Sequence, residues 1–264
     1  MNTLPATELP GPSSTRFTRI HWFDEIDSTN RYLLDAAQAG AASGLVAVAD
    51  AQTAGRGRMG RNWHAPVGGS LLVSVLLRPT VPLDQWSMLV APAGLAAVTT
   101  VTTLCDLPAR LKWPNDVVVH DKKLAGLLAE SNQDAVVVGM GLNIDWPEMP
   151  DDIVQTATAV SLAGGRVQPR RVVLDSWLRN FETWLQVIER APGNTARLRY
   201  AQRSVSATLG RRVRVETLNG NIDGFAHDLG VDGRLVVRTD SGEFVHFATG
   251  DVVIFEPWNE VSLL

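Results

Sequence analysis

The sequence has a single cysteine and no excess of basic residues. Among its 264 residues, 24 are Lys or Arg and 28 are Asp or Glu, which gives a net charge of -4 at pH 7. One cysteine cannot form an internal disulfide, and this usage suits a reducing compartment. The acidic balance disfavours broad electrostatic binding to nucleic acid or to anionic membranes. We therefore expect a cytoplasmic protein in which any positive patch is local.

Targeting and membrane signals are also missing. The N-terminal segment MNTLPATELPGPSS lacks the basic start and the apolar centre of a signal peptide, and it is too short for a DNA-binding domain. Its Pro, Ser and Thr content predicts a disordered tail over residues 1–15. The longest nearly apolar run, residues 89–104, is interrupted by Pro92 and several threonines and falls short of a membrane span. The sequence therefore predicts a soluble protein.

Hydrophobic patterning predicts two domains after the tail. In residues 16–205, short apolar strands such as LVAVADAQ, SLLVSVLLRP and AVVVGMGLNI alternate with helical patterns, including residues 85–105 and 170–189. This pattern predicts a mixed α/β domain, with a central mixed sheet and flanking helices. In residues 206–264, apolar and polar residues alternate and Asn-Gly, Asp-Gly and Ser-Gly pairs mark hairpins. We expect a small barrel of four or five antiparallel strands there.

The segment GRGRMGRNW, residues 55–63, places three arginines and three glycines between two predicted strands. Its glycines spell G-x-G-x-x-G, but a dinucleotide site needs a helix at the third glycine, and RNWHAPVGG follows instead. In an extended segment, arginines two positions apart point the same way, so we expect Arg56 and Arg58 to converge on one anion. A solvated surface loop is the alternative.

Two further segments combine charge with unusual backbone requirements. KWPND, residues 112–116, contains Asn115 and Asp116, which suit hydrogen bonding to ribose or phosphate, or holding Mg²⁺. An ordinary Pro-Asn-Asp turn is the alternative. In KKLAGLLAES, Lys123 enters an apolar strand and Gly126 lets another group approach the backbone, although a cation at a strand end is equally compatible.

Polar residues at the ends of other elements are weaker candidates. DSTNR reads as a helix cap, but the hydroxyls of Ser28 and Thr29 and the amide of Asn30 could also face a ligand. Gln52 precedes the arginine segment and could pair with a polar ligand group or lie exposed. GMGLNID ends an apolar strand with Asn143 and with glycines that make room for a neighbour, or that simply form a turn.

Taken together and in this order, DSTN, GRGRMGRNW, KWPND, KLAG and GMGLN resemble the biotin protein ligases over about residues 20–255. The resemblance implies a class II synthetase-like biotin/lipoate ligase catalytic domain followed by an SH3-like barrel. Some members also carry an N-terminal winged helix that represses transcription. This sequence has none, which implies a monofunctional ligase that does not bind DNA.

The resemblance also implies the reaction and the partners. In this family, the carboxylate of biotin attacks the α-phosphate of ATP, with Mg²⁺, to give biotinyl-5′-AMP and pyrophosphate. The amine of a carrier-protein lysine then takes the biotin. The expected carrier is the biotin carboxyl carrier domain of an acetyl-CoA, acyl-CoA or pyruvate carboxylase. A cytoplasmic monomer or weak homodimer without membrane contact is expected.

Roles pass by resemblance to matching positions of this sequence. Implied catalytic residues are Arg56, Arg58, Lys123 and Asp116, the last also being the implied Mg²⁺ ligand and a candidate base. Implied biotin-binding residues are Ser28, Thr29, Asn30, Gln52, Arg56, Gly57, Arg58, Lys123 and Gly126. Implied ATP- or adenylate-binding residues are Gly55, Arg58, Arg61, Trp63, Lys112, Asn115, Asp116 and Asn143. Trp63 would cover the adenine, and Leu72 stands in the biotin wall where some members have an aromatic.

Three other functions compete with this interpretation. A lipoate ligase or an octanoyl transferase shares the catalytic fold, but octanoyl transferases use a cysteine nucleophile. Cys105 lies in an apolar helical pattern outside every motif. From another class, the terminal barrel could be a non-catalytic module that binds a ligand or nucleic acid. Its few aromatics and its lack of a basic stripe argue against nucleic acid.

Overall fold

The computed structural model describes residues 6–80, 89–132, 134–191, 193–218 and 220–255. The strands of its larger sheet are β1 (Thr7–Pro10), β2 (Arg19–Ile26), β3 (Leu45–Gln52), β4 (Ser70–Leu77), β5 (Arg110–Lys112), β6 (Asp116–Val119), β7 (Lys122–Asn132) and β8 (Ala135–Asn143). The helices of the chain are α1 (Thr29–Gln38), α2 (Val90–Cys105), α3 (Arg170–Arg190) and α4 (Ala196–Ser204). The smaller sheet contains β9 (Arg212–Thr217), β10 (Gly220–Leu229), β11 (Leu235–Thr239), β12 (Phe244–Phe247) and β13 (Asp251–Ile254).

The larger sheet runs in the order β1-β2-β3-β4-β8-β7-β6-β5 and has helices on both faces. All eight residues of β4 are buried, as expected for a strand covered on both sides. On one face, Leu33 of α1 packs against β3 and β4. On the other, Trp177 and Phe181 of α3 pack with α2 over the sheet. The mixed sheet with flanking helices is confirmed, and none of the described helices combines the length and apolarity needed to cross a membrane.

The smaller sheet is entirely antiparallel and runs in the order β12-β11-β10-β9-β13. It confirms the prediction of four or five short strands. Gly233 and Gly242 have φ of 79° and 90°, which tight hairpins require and which glycine adopts without steric penalty. The predicted boundary between residues 205 and 206 falls between α4 and β9.

The N-terminal segment is more ordered than the sequence suggests. β1 pairs antiparallel with β2, with Leu9 opposite Ile20, so a disordered tail over all of residues 1–15 is wrong. The reason is that β2 offers an open edge to which residues 7–10 can hydrogen bond, and Leu9 packs against the core. Helix α2 begins at Val90, and residues 81–88 of the predicted helix 85–105 lie outside the described residues.

A buried ion network holds the connection between β1 and β2 against α3. Arg16 donates to Glu182 from Nε at 2.9 Å and to Glu189 from Nη1 at 2.6 Å. Burial acts to raise the pKa of the Glu182 carboxyl, but hydrogen bonds from Arg16 and Gln186 outweigh it, so the pKa is lowered. The Glu182 side chain is 9% exposed, which makes its cation necessary.

Replacing Arg16 by Ala is expected to lower the free energy of unfolding by about 3 kcal/mol near neutral pH, because Glu182 stays buried without its cation. Because the folded pKa of Glu182 is depressed, this stabilisation is present above the unfolded pKa and is lost as pH falls through the folded pKa. Urea unfolding across that range measures the difference. The control is Arg19→Ala, whose exposed pair with Glu8 is screened by solvent and is expected to change stability far less. Equal losses in both variants, or a loss independent of pH, would contradict this account.

Candidate active site

A cavity of about 390 Å³ lies between the larger sheet and the smaller one. Most of the predicted site residues line it: Ser28, Thr29, Asn30, Gln52, Arg56, Gly57, Arg58, Arg61, Trp63, Lys112, Asn115, Asp116, Lys123 and Gly126. A second cavity of about 800 Å³ shares Arg61, Trp63, Lys112, Asp116 and Lys123 with the first and also contains Asn143. Gly55 lines neither cavity. The structure therefore brings together residues that are nearly 120 positions apart in the chain.

Residues 55–63 form a tight hairpin, called here the arginine hairpin. The N–H of Trp63 donates to the carbonyl of Gly55 at 2.9 Å, and the N–H of Gly57 donates to Arg61 at 2.7 Å. Between them the chain reverses through Met59 and Gly60, with φ of 55° and 73°. The prediction of an extended segment is wrong, because two consecutive left-handed residues turn the chain back on itself.

Arg56 and Arg58 consequently face different partners. Nη1 of Arg56 lies 3.9 Å from Oε1 of Glu130 on β7. Nη1 of Arg58 donates to Oδ1 of Asn115 at 3.1 Å. The two guanidinium groups line the same cavity, but Arg56 lies at ion-pair distance from Glu130 whereas Arg58 hydrogen bonds to Asn115, and they share no partner.

The arginine hairpin also contacts the smaller sheet. Arg58 donates from Nη2 to Oγ1 of Thr249 at 2.6 Å, and Arg61 forms an ion pair with Asp251. Burial lowers the pKa of Arg58, with Asp251 opposing this effect, but a guanidinium keeps its charge in proteins. No motif in the sequence points to Thr249 or Asp251, because they lie about 190 residues from the hairpin. Both sheets therefore position these cations.

Lys123 and Asp116 form the second charged group of the cavity. Nζ of Lys123 lies 2.8 Å from Oδ1 of Asp116 without the alignment of a hydrogen bond, so charge holds the pair together. Burial lowers the pKa of Lys112, an effect that Asp116 opposes and Lys123 reinforces. Among the described residues, no three His, Cys, Asp or Glu side chains are grouped to hold a metal. Asp116 alone therefore represents the predicted Mg²⁺ site.

The ring of Trp63 lies on the glycines of β7 and β8. A Cβ on Gly141 would lie 2.5 Å from the indole, and one on Gly126 would lie 3.0 Å from it. The predicted need for space at these glycines is confirmed, and the group that approaches them is Trp63. Nζ of Lys123 lies 5.4 Å from the ring centroid, within range of a cation–π contact. The indole N–H is buried and finds no acceptor among the described residues.

A buried polar network forms the opposite wall of the cavity. Oε1 of Gln52 accepts from the N–H of Thr29 at 2.7 Å, and the hydroxyl of Ser74 donates to Oδ1 of Asn30 at 2.6 Å. Nδ2 of Asn30 donates to Glu130 at 2.8 Å. Sequence reasoning missed Ser74 and Glu130. Ser74 had a usable signal, since it is an isolated polar residue inside the fully buried strand β4.

Other predicted residues have structural roles as well. Ser28 caps α1 by accepting from the N–H of Arg31 at 3.5 Å. Asn143 accepts from Ser70 and donates to the carbonyl of Thr158, and it lies in the wall of the second cavity. Cys105 is fully buried in α2, and burial raises the pKa of its thiol, so it lies far from the environment of a reactive nucleophile.

Comparisons with known proteins agree with this architecture. Residues 22–145 match the Biotin/lipoate A/B protein ligase family, and residues 208–254 match the Biotin protein ligase C terminal domain. The biotin–[acetyl-CoA-carboxylase] ligase of Mycobacterium tuberculosis is 39% identical over 232 residues, covering 86% of this chain and 85% of that protein. The bifunctional ligase/repressor BirA of Bacillus subtilis is 31% identical, covering 84% of this chain and 70% of that protein.

Solved structures point the same way. The biotin protein ligase of Aquifex aeolicus in complex with biotin and ATP has a TM-score of 0.79 and 29% identity, covering 89% of this chain and 98% of that one. This likeness extends over both sheets, in agreement with the two family matches. The chain therefore belongs to the biotin protein ligase family.

Proposed function

We propose that this protein is an ATP-dependent biotin protein ligase that makes biotinyl-5′-AMP and pyrophosphate and then transfers biotin to a carrier lysine. The observation that carries the proposal is the gathering of Arg56, Arg58, Lys112 and Lys123 around one cavity, opposite a buried wall of hydrogen-bonding groups. Its volume of about 390 Å³ is in the range of small-molecule sites.

The cations answer the electrostatic problem of the first step. A carboxylate must approach a phosphate, and two like charges at contact repel each other strongly when water is excluded. Arg58 and Lys123 supply positive charge on two sides of the cavity, and each is already held by a neighbour. Donors fixed before the reaction stabilise the charge that develops on the phosphoryl oxygens without having to reorganise.

The polar wall of the first cavity suits biotin. Thr29, Asn30 and Gln52 provide acceptors and donors for the ureido ring of biotin, whose carboxylate would then extend toward Arg56 and Lys123. The backbones of Gly57 and Gly126 complete this end.

The nucleotide would occupy the second cavity and reach the first past Trp63, which lines both. The buried indole N–H without a protein acceptor supports a polar ligand beside it. Arg61, Lys112 and Asn143 line the same cavity and would face the nucleotide. Gly55 lines neither cavity, but its lack of a side chain lets Trp63 approach. A Cβ on Gly55 would lie 2.6 Å from the carbonyl oxygen of Trp63.

Magnesium fits this site as a partner of the phosphates. The ion usually keeps several waters and needs one or two carboxylates in addition to substrate oxygens. Asp116 provides one carboxylate, which it shares with Lys123 at 2.8 Å. When bound, the ion would neutralise phosphate charge, and Asp116 is its proposed protein ligand.

The second step needs a neutral carrier amine, although a lysine is ordinarily protonated at neutral pH. Asp116 lines both cavities, and we propose it as the base. The proposed protein substrate is the biotin carboxyl carrier domain of an acetyl-CoA, acyl-CoA or pyruvate carboxylase. A single, fully buried cysteine is consistent with the proposed cytoplasmic location.

Pyrophosphate release tests substrate and site together. Wild-type protein is expected to release pyrophosphate from ATP with biotin but not with lipoate or octanoate. Replacing Lys123 by Met is expected to slow this release by about 100-fold, because one donor aimed at developing charge is lost.

The matched control is Lys122→Met, since Lys122 donates to the carbonyl of Val154 and lines neither cavity. Its rate should stay close to that of the wild type. Activity with lipoate in place of biotin, or equal losses in the two lysine variants, would refute the assignment.

The contact between the hairpin and the smaller sheet gives a graded prediction. Arg58→Ala removes a charge from the cavity and is expected to slow single-turnover formation of biotinyl-5′-AMP by about 100-fold. Thr249→Val removes only the hydroxyl that accepts from Arg58, so a loss of about tenfold or less is expected. Arg234→Ala, in an exposed pair with Asp232, is the control. If Thr249→Val slowed the reaction as much as Arg58→Ala, the contact between the two sheets, and not the charge of Arg58, would account for the loss.

A further inference from the structure

Glu130 lies behind the cavity and contacts two of the residues that the proposed function assigns to biotin. Its Oε2 accepts from Nδ2 of Asn30 on α1 at 2.8 Å, and its Oε1 lies 3.9 Å from Nη1 of Arg56. The carboxylate is 29% exposed and belongs to β7, although it is not part of the cavity wall. Glu130 thus connects the polar wall with the arginine hairpin.

The charge of Glu130 fixes the direction of the hydrogen bonds in the wall. A carboxylate can only accept, so Asn30 must turn its NH₂ group toward Glu130 and its Oδ1 toward Ser74. That oxygen can only accept as well, so the single proton of the Ser74 hydroxyl is committed to it at 2.6 Å. The amide orientation of Asn30 therefore follows from its partners.

Thr29 extends this hydrogen-bond chain to the surface of the cavity. Oγ of Ser74 lies 2.7 Å from Oγ1 of Thr29, and Ser74 has no proton left to donate to Thr29. Oε1 of Gln52 accepts from the Thr29 hydroxyl at 3.0 Å and from the backbone N–H of Thr29 at 2.7 Å. With its own proton spent, Oγ1 of Thr29 presents lone pairs to the cavity that it lines. A ligand N–H suits this position, and a ligand acceptor does not.

We propose that Glu130 is a positioning residue of the biotin site: its carboxylate polarises the Asn30–Ser74–Thr29 chain so that Thr29 accepts from a ureido N–H, and it holds Arg56 in place. This inference rests on the proposed function, because the donor that it orients toward is the cyclic urea of biotin. Glu130 itself does not touch the substrate.

Exchanging the two partners provides the test. Glu130→Gln lets the Asn30 amide turn over, and Asn30→Asp sets two carboxylates against each other at a separation of 2.8 Å. Each single variant is expected to raise KM for biotin by about tenfold, as expected when a buried polar group loses its partner, with kcat for pyrophosphate release within about threefold of the wild type. The Asn30→Asp/Glu130→Gln double variant restores an amide donating to a carboxylate, and Ser74 again faces an acceptor. It is expected to recover most of the affinity for biotin.

Two further readouts separate orientation from folding. The KM for biotin is compared with the KM for the biotin analogue that has an imine in place of the ureido carbonyl. A loss of rigidity in the site would weaken the binding of both compounds equally. A change in the direction of the hydrogen bonds would change the ratio of the two KM values. We expect Glu130→Gln to shift this ratio by about fivefold. Glu25→Gln, an exposed glutamate on β2, is the control and should change neither KM nor the thermal midpoint.

Each outcome decides between the two proposals. A double variant no better than either single variant, or an unchanged KM for biotin in Glu130→Gln, overturns the role of Glu130 while leaving the ligase assignment intact. A wild-type protein that releases no pyrophosphate with biotin overturns the ligase assignment and this inference together. Rescue in the double variant with a changed analogue ratio supports the inference.

Discussion

The structure depends on compensation of the positive charges gathered in one cleft of an acidic chain. Unopposed, the guanidinium and ammonium groups around the cavity would repel each other and open the arginine hairpin. Each instead lies beside an acceptor: Arg56 beside Glu130, Arg58 beside Asn115 and Thr249, Arg61 beside Asp251, and Lys123 beside Asp116. The cations are thereby held in place before any anion arrives.

These partners come from both sheets, so both domains contribute residues to one site. The tip of the hairpin is fastened by Thr249 and Asp251 of the smaller sheet, while its base is fastened through Arg56 to β7. Trp113, between the two, donates from its backbone to Thr208 and from its indole to the carbonyl of Gly233. Displacing the smaller sheet would therefore release the hairpin and open one wall of the cavity.

Local patterns were sufficient to identify most elements, and most of the residues that they singled out line one cavity. The apolar runs of β3 and β4 predicted their bounds well, because strands buried on both faces have little freedom in composition. The motif residues could be grouped because their chemistry is unusual for a core. The hairpin turn at Met59 was not predictable, since a non-glycine residue with positive φ leaves no sequence signature. Asp251 and Glu130 were missed because only tertiary folding brings them to the arginines.

The central claim is that the cations held by their protein partners bind the two substrate anions. A crystal structure with biotin and a non-hydrolysable ATP analogue tests it directly. It should show biotin against Thr29 and Asn30, with carboxylate or phosphate oxygens within hydrogen-bonding distance of Arg58 and Lys123. Ligands bound elsewhere, with no ligand oxygen within hydrogen-bonding distance of Arg58 or Lys123, would contradict it.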